Sequence, residues 1–277
     1  MIKDKRLAVA YRVYPGISNI PSKKPIIFSN DKFNLFKTCC KSFKQALGKI
    51  KPKIWFILDS CPDEYEKWIR KNFDDSEIEI LRLSGAGNEK TFEEQIRILS
   101  NQDFSDHIYF AEDDYLYTED SIEKGLDFLS RSHTDVISLY DNPDYYMLKM
   151  HKYKRSYWLE KNLIWKSVSN TTLTFMTSKN ILERIKCTLQ TFSRKNNDSS
   201  IWMSLTKIGL LDFNSIVRYS RGRDNDLKKI LKAYYFSLRA ILFQKKIKLM
   251  VPTPSLATHI EKNSIAPLFS LEKYLDS

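Results

Sequence analysis

The first 140 residues alternate between two hydrophobic rhythms. Leu7 to Tyr14 is a nearly continuous apolar run closed by Pro15-Gly16, which predicts a strand. Residues 17–30 carry Pro21, Pro25, serines and asparagines and read as a loop. Phe33, Phe36, Cys40, Phe43, Leu47 and Ile50 then recur at three- and four-residue steps. That spacing predicts an amphipathic helix, capped by Asp31 and stopped by Pro52. Ile54 to Leu58 is a short run of the kind buried on both faces of a parallel sheet, and it ends in Asp59. A helix over Asp63–Phe73 follows, then a strand from Glu77 to Leu83 and a loop from Ser84 to Asn88. Thr91-Phe92-Glu93-Glu94 matches a capping box and predicts a helix start. His107 to Ala111 is another apolar strand, running into Glu112-Asp113-Asp114. Asp120 is placed to cap a helix through Leu129, and Val136 to Tyr140 reads as a further strand.

Five such alternations predict an α/β fold whose mostly parallel sheet carries helices on both faces. Ligands of such sheets bind beyond the carboxyl ends of the strands. The second half is less regular. It reads as a strand over Thr171–Met176, helices over Asn180–Leu189 and from Asp198 through Leu205, and a basic amphipathic helix over 227–248. Leu249 to Ala257 is extended and leads to His259. These readings divide the chain into 1–140, 141–222 and a basic helical extension, 223–277.

Composition narrows the chemistry. Seven glycines in 277 residues fall well short of the usual share of about 7%. Gly85-Ala86-Gly87 has no third glycine, so a glycine-rich phosphate loop is excluded. Cys39 and Cys40 are adjacent, which suits a buried helix face rather than a zinc site. No leader sequence or spanning segment is apparent, and the expectation is a cytoplasmic protein, at most peripheral on a membrane. The net charge of +11 admits nucleic acid, an anionic membrane or an anionic small substrate as partner.

Glu112-Asp113-Asp114 is the feature with chemical content. Residues two apart on a strand share a face, so Glu112 and Asp114 are expected to point together. Two carboxylates in a crevice repel unless protons or a cation balance them. Mg²⁺ or Mn²⁺ would do so and would leave positions for substrate phosphates.

An acidic motif at this place in the order of elements resembles that of the GT-A glycosyltransferases, the nucleotide-sugar-dependent enzymes with a Rossmann-like sheet and a DxD-type motif. The run is Tyr109-Phe110-Ala111-Glu112-Asp113-Asp114. It is nearest to the inverting, family-2-like bacterial enzymes, and it departs from strict DxD. The resemblance implies Arg12, Tyr14 and Asp59 beside the nucleoside, with Gly87, Asn88 and Thr91 approaching nucleotide or sugar. It implies Glu112 or Asp113 on ribose or sugar, and Asp114 as the main metal ligand, with His259 completing the metal or diphosphate site. It further implies an acidic general base, for which Asp198 is the first candidate and Asp141 the rival. The expected partners are a nucleoside-diphosphate sugar, most simply UDP-linked, and a saccharide or lipid-linked saccharide acceptor. Tyr140 to Tyr146, with Trp158, Trp165 and Trp202, would form an aromatic wall for sugar rings.

Ordinary alternatives accompany these roles: a turn cap for Asp59, a surface ion pair for Arg12, a loop histidine at His259, an N-cap for Asp198. His107 and His133 read as structural and His151 as solvated. The basic helix suits either an anionic membrane surface or simple packing with a basic outer face. A nucleic-acid-binding protein and a nucleotidyltransferase are the rival functions. The first lacks any recognised binding motif, and the second lacks its glycine-rich basic loop, since Tyr14-Pro15-Gly16-Ile17-Ser18-Asn19 stands there instead.

Overall fold

The computed structural model describes residues 5–17, 24–210 and 224–274. Eleven strands and eight helices are placed among them. In chain order they are β1 (Arg6–Val13), α1 (Lys32–Ala46), β2 (Lys51–Asp59), α2 (Asp63–Asn72), β3 (Ile78–Leu83), α3 (Gly87–Asn101), β4 (His107–Glu112) and β5 (Tyr115–Tyr117). There follow α4 (Ser121–Arg131), β6 (Val136–Ile137), α5 (Asp144–Met147), β7 (Tyr157–Glu160), β8 (Leu163–Ser167) and β9 (Phe175–Ser178). The last are α6 (Lys179–Leu189), α7 (Asp198–Thr206), α8 (Asp224–Phe243), β10 (Leu249–Thr253) and β11 (Ala257–His259).

Nine strands form one sheet in the order β3-β2-β1-β4-β9-β6-β10-β8-β7. The pairings β1 with β2 and β4, β2 with β3, and β6 with β10 are parallel, and those of β9 and β8 with their neighbours are antiparallel. Seven strands therefore run one way, and β9 and β8 run against them. β1 shows how the sequence sets the layers. Leu7, Val9, Tyr11 and Val13 face one side and pack with Phe36, Cys40 and Phe43 of α1, Tyr65 and Ile69 of α2, and Ile122 and Leu126 of α4. Ala8 and Ala10 face the other, with Phe92, Ile96 and Leu99 of α3, Leu182 and Ile185 of α6, and Trp202 of α7. This is the period-two alternation of a strand covered on both sides.

Several boundaries differ from the sequence reading. Helix α3 begins at Gly87 rather than Thr91, because both carboxylate oxygens of Asp59 take the Ala86 and Gly87 amides, each at 2.8 Å. Those bonds satisfy amide hydrogens that a capping box would otherwise have to reach. The strand expected over Val136–Tyr140 is regular only at Val136–Ile137, with a single further bridge from Tyr140 to Ala257, and the one expected over Thr171–Met176 lies at Phe175–Ser178. β10 lies between β6 and β8, so the segments 1–140, 141–222 and 223–277 all contribute strands to one sheet.

Candidate functional site

The ends of β1, β2 and β4 open together onto a cleft of about 720 Å³. Its lining includes Arg12, Tyr14, Asp59, Gly87, Asn88, Thr91, Glu112, Asp113 and Asp114. The residues expected from the sequence to meet nucleotide or sugar thus share one lining with the acidic triplet, and His259 lies outside it. The parallel register places Arg12 directly beside Glu112. The Arg12 guanidinium pairs with Glu112 and donates to the Asn88 side chain at 2.6 Å and the Asn88 carbonyl at 3.0 Å. It lies 5.5 Å from the Phe92 ring centre. Arg12 is 6% exposed, so the surface ion pair is not its fate. Gly85 and Gly87 have φ of +67° and +80°, the left-handed conformation glycine adopts without strain, and they turn the loop into α3.

The strand ends at Glu112, so the shared-face expectation for Glu112 and Asp114 does not extend through the turn. Each acid instead meets its own partner. Glu112 also accepts from Thr174 at 2.6 Å. Asp113 accepts from the Tyr14 amide at 3.1 Å and pairs with Lys32 at 3.0 Å. Burial and the neighbouring Asp114 push the Asp113 carboxyl up, with Lys32 opposing them. Lys32 itself is pulled down by burial but more than recovered by facing both Asp113 and Asp114. Both shifts are upward because the lysine sees two carboxylates while Asp113 sees one cation and one anion.

Asp114 meets His259 Nε2 at 3.0 Å. Pairing of β11 with β5 sets His259 opposite Tyr115, whose ring stacks on the imidazole at 4.9 Å. Burial raises the Asp114 carboxyl, but His259, Lys32 and Arg12 outweigh it and bring it to about 2. Burial lowers His259, and Asp114 and Glu261 overcome that to lift it to about 9. The second Asp114 oxygen, Oδ1, is buried with no hydrogen-bond partner. His259 is therefore not an ordinary loop histidine.

The two base candidates lie outside the lining of this cleft. Asp198 is the first residue of α7, and the N-cap is Asn197, whose side chain accepts from Ser200. The Asp198 carboxyl accepts from the Ser199 amide at 2.7 Å. Burial raises its pKa, Ser199 and Lys229 oppose, and Glu112 and Asp144 add to the rise. Asp198 is thus within electrostatic reach of the acidic motif. Asp141 is 1% exposed and held by Lys166 at 2.8 Å, the Tyr146 hydroxyl at 2.6 Å and Thr253 at 2.9 Å. Burial lowers the Lys166 pKa against the pull of Asp141.

Other expectations change. Trp165 and Trp202 are buried in the core and form no wall; Trp158 is 44% exposed. His151 is buried rather than solvated, and burial together with Arg155 and Lys229 pushes it down to about 4. Lys32 was missed. In sequence it is a lysine at the start of a helix, and nothing local marks it as turned inward toward acids some eighty residues away.

No protein-family model and no curated protein matches the chain. Among solved structures it is similar to residues 1–349 of S. aureus TarS, at 12% identity and a TM-score of 0.45, over 84% of this chain and 73% of that one. The same TarS fragment in complex with UDP-GlcNAc gives 11% identity and 0.44, over 84% and 74%. A cytidylyltransferase from Leptospira borgpetersenii serovar Hardjo-bovis gives 11% and 0.34, over 66% and 64%. Likenesses this distant assign no chemistry, and the site must be read from its own residues.

Proposed function

We propose that the protein is a GT-A-type glycosyltransferase that moves a sugar from a nucleoside diphosphate, most simply UDP, to a saccharide acceptor such as a surface polysaccharide or lipopolysaccharide. One observation carries the reading: the cleft at the strand ends is acidic in a basic protein. Its lining holds Asp59, Glu112, Asp113, Asp114 and Glu261 against Arg12 and Lys32. An anionic diphosphate cannot enter such a wall unless a cation accompanies it.

The residues present suit Mg²⁺ or Mn²⁺. Asp114 offers a buried oxygen with no partner, and His259 beside it would offer a nitrogen once a bound ion displaced its proton. No group of three His, Cys, Asp or Glu side chains forms a metal cage among the described residues. The remaining positions would fall to diphosphate oxygens and water, as Mg²⁺ prefers. Bound there, the ion would neutralise charge on the departing diphosphate.

The chain's own residues do the rest. Arg12 and Asn88 hold the wall along which the nucleotide lies. Asp198 takes the proton of the acceptor hydroxyl while that oxygen bonds to the anomeric carbon, and the bond from that carbon to the diphosphate breaks with inversion. Its raised pKa suits a base that must hold a proton.

Calorimetric titration with UDP and other nucleoside diphosphates, with and without Mn²⁺, tests this. The wild type is expected to bind one of them only with metal, and Asp114→Asn to lose that metal-dependent binding. Tight nucleotide binding indifferent to metal would remove the metal site, and no binding to folded protein would remove the glycosyltransferase reading.

A further inference from the structure

Much of the protein's positive charge is concentrated in one place. From Leu227 to Lys248 the chain carries Lys228, Lys229, Lys232, Arg239, Lys245, Lys246 and Lys248, and no Asp or Glu at all. These 22 residues hold seven of the net eleven positive charges.

Most of this stretch is helix α8. It buries Ile230, Ala233 and Ile241 against Met150, Met203 and Leu210. A helix that merely packed on the core would be polar on its other face. Here the exposed side is apolar along one flank, beside the cations Lys228 and Arg239. Leu227, Leu231, Leu238 and Leu242 are between 38% and 59% exposed, and Tyr235 and Phe243 are 82% and 81% exposed. Positions 227, 231, 235, 238 and 242 are spaced by four, four, three and four. The backbone leaves helical geometry at Ser237, so there are two helical segments. At 3.6 residues per turn, positions 227, 231 and 235 span about 80° on the first, and positions 238 and 242 span about 40° on the second. Exposed Lys228 and Arg239 border it, and exposed Lys245 and Lys246 extend the charge beyond its end.

Six large apolar side chains exposed on one helix call for a cover. A second copy of the chain would cover the leucines but bring the exposed cations Lys228, Arg239, Lys245 and Lys246 against their own copies. A nucleic acid would accept the cations and leave Leu231, Tyr235, Leu242 and Phe243 in water. An anionic bilayer satisfies both features, taking the apolar side chains at the level of the headgroups and the cations at its charged surface. No helix among the described residues is long and apolar enough to cross a membrane. We propose that α8 and the basic residues following it dock the protein on an anionic phospholipid surface.

The docking helix packs on α7, where the Ser200 hydroxyl donates to the Lys229 carbonyl at 2.8 Å. Asp198 begins that same helix. If the glycosyltransferase reading holds, docking brings the acceptor side of the site to the membrane, where a lipid-linked saccharide would be met. Lipid binding itself needs no enzymatic activity, so the two readings fail separately.

The test is co-sedimentation of the full chain with phosphatidylcholine vesicles and with vesicles that also contain phosphatidylglycerol. The wild type is expected to partition onto the anionic vesicles only, and less as salt rises. Tyr235→Ser with Phe243→Ser should weaken partitioning by about tenfold or more. Lys245→Glu with Lys246→Glu should weaken it by at least about fivefold per residue. All four positions are exposed, and an unchanged melting curve confirms that each variant folds. Three results would overturn the proposal: no partitioning onto anionic vesicles; tighter binding to duplex DNA than to them; or a wild-type dimer in sedimentation that Tyr235→Ser with Phe243→Ser dissolves.

Discussion

A carboxylate at a helix start ordinarily caps the helix, and Asp198 does not, because Asn197 already takes that position. What remains for Asp198 is a costly placement. Burial raises its pKa, and the negative charges of Glu112 and Asp144 raise it further. The consequence for stability has a definite sign. A folded-state carboxyl that holds its proton to higher pH than in the unfolded chain favours folding below the ordinary carboxylate value of about 4. That contribution is lost as pH rises through the raised folded value. Asp198→Asn keeps the side-chain oxygen that accepts from Ser199 and removes the half-buried charge. The variant is expected to melt higher than the wild type at neutral pH, with the difference shrinking as pH falls. Nucleotide binding should be unchanged, and transfer should fall by about 10²–10⁴-fold. A lower melting temperature at neutral pH, or full activity, would show that the carboxylate supports the fold instead.

At the scale of elements, the close fit of α4 on the sheet makes a second expectation. A Cβ built on Gly125 would lie 2.6 Å from Leu139 Cδ2 and 3.1 Å from Ile137 Cδ1, and both side chains are buried. Gly125→Val therefore overpacks a filled interface and should cost about 2 kcal/mol in denaturant unfolding. Lys124→Ala on the same turn is exposed and should stay within about 0.5 kcal/mol of wild type. Equal stability of the two variants would mean that α4 is loosely seated. The same tight packing explains which elements were legible. β1 to β4 are apolar runs flanked by amphipathic helices, pair mostly with near neighbours in sequence, and end in Arg12, Asp59 and Glu112; all three ends were readable. The short strands were not. β6 pairs over two residues, and its partner β10 arrives more than a hundred residues later. Lys32 and the start of α3 stayed hidden for a related reason, since each depends on a carboxylate distant in sequence: Asp113 for Lys32, Asp59 for α3. Periodicity reports which face is buried and says nothing of the polar partner found there.

The described residues build one nine-stranded sheet threaded by both halves of the chain, with β5 and β11 paired beside it, and this sets what can be removed. β10 is a C-terminal strand by sequence yet an interior strand by position, with Leu249, Met250 and Val251 buried between β6 and β8. β11 then crosses to β5 and delivers His259 to Asp114. The extension expected over 223–277 is thus both a wall of the core and a part of the candidate site. A chain ending at Lys248 would expose one edge each of β6 and β8, strip the hydrogen-bond partners on that side of both, and open the apolar clusters on each face. It would also lose His259, the cation in contact with Asp114. We expect that chain to show no cooperative thermal transition by circular dichroism and no protection of β1 amides in hydrogen exchange. A cooperative transition near the wild-type midpoint would mean that residues 5–210 hold a self-sufficient core and that β10 only leans on it. The sheet order argues otherwise, because without β10 the hairpin of β7 and β8 has no strand left to join it to the rest.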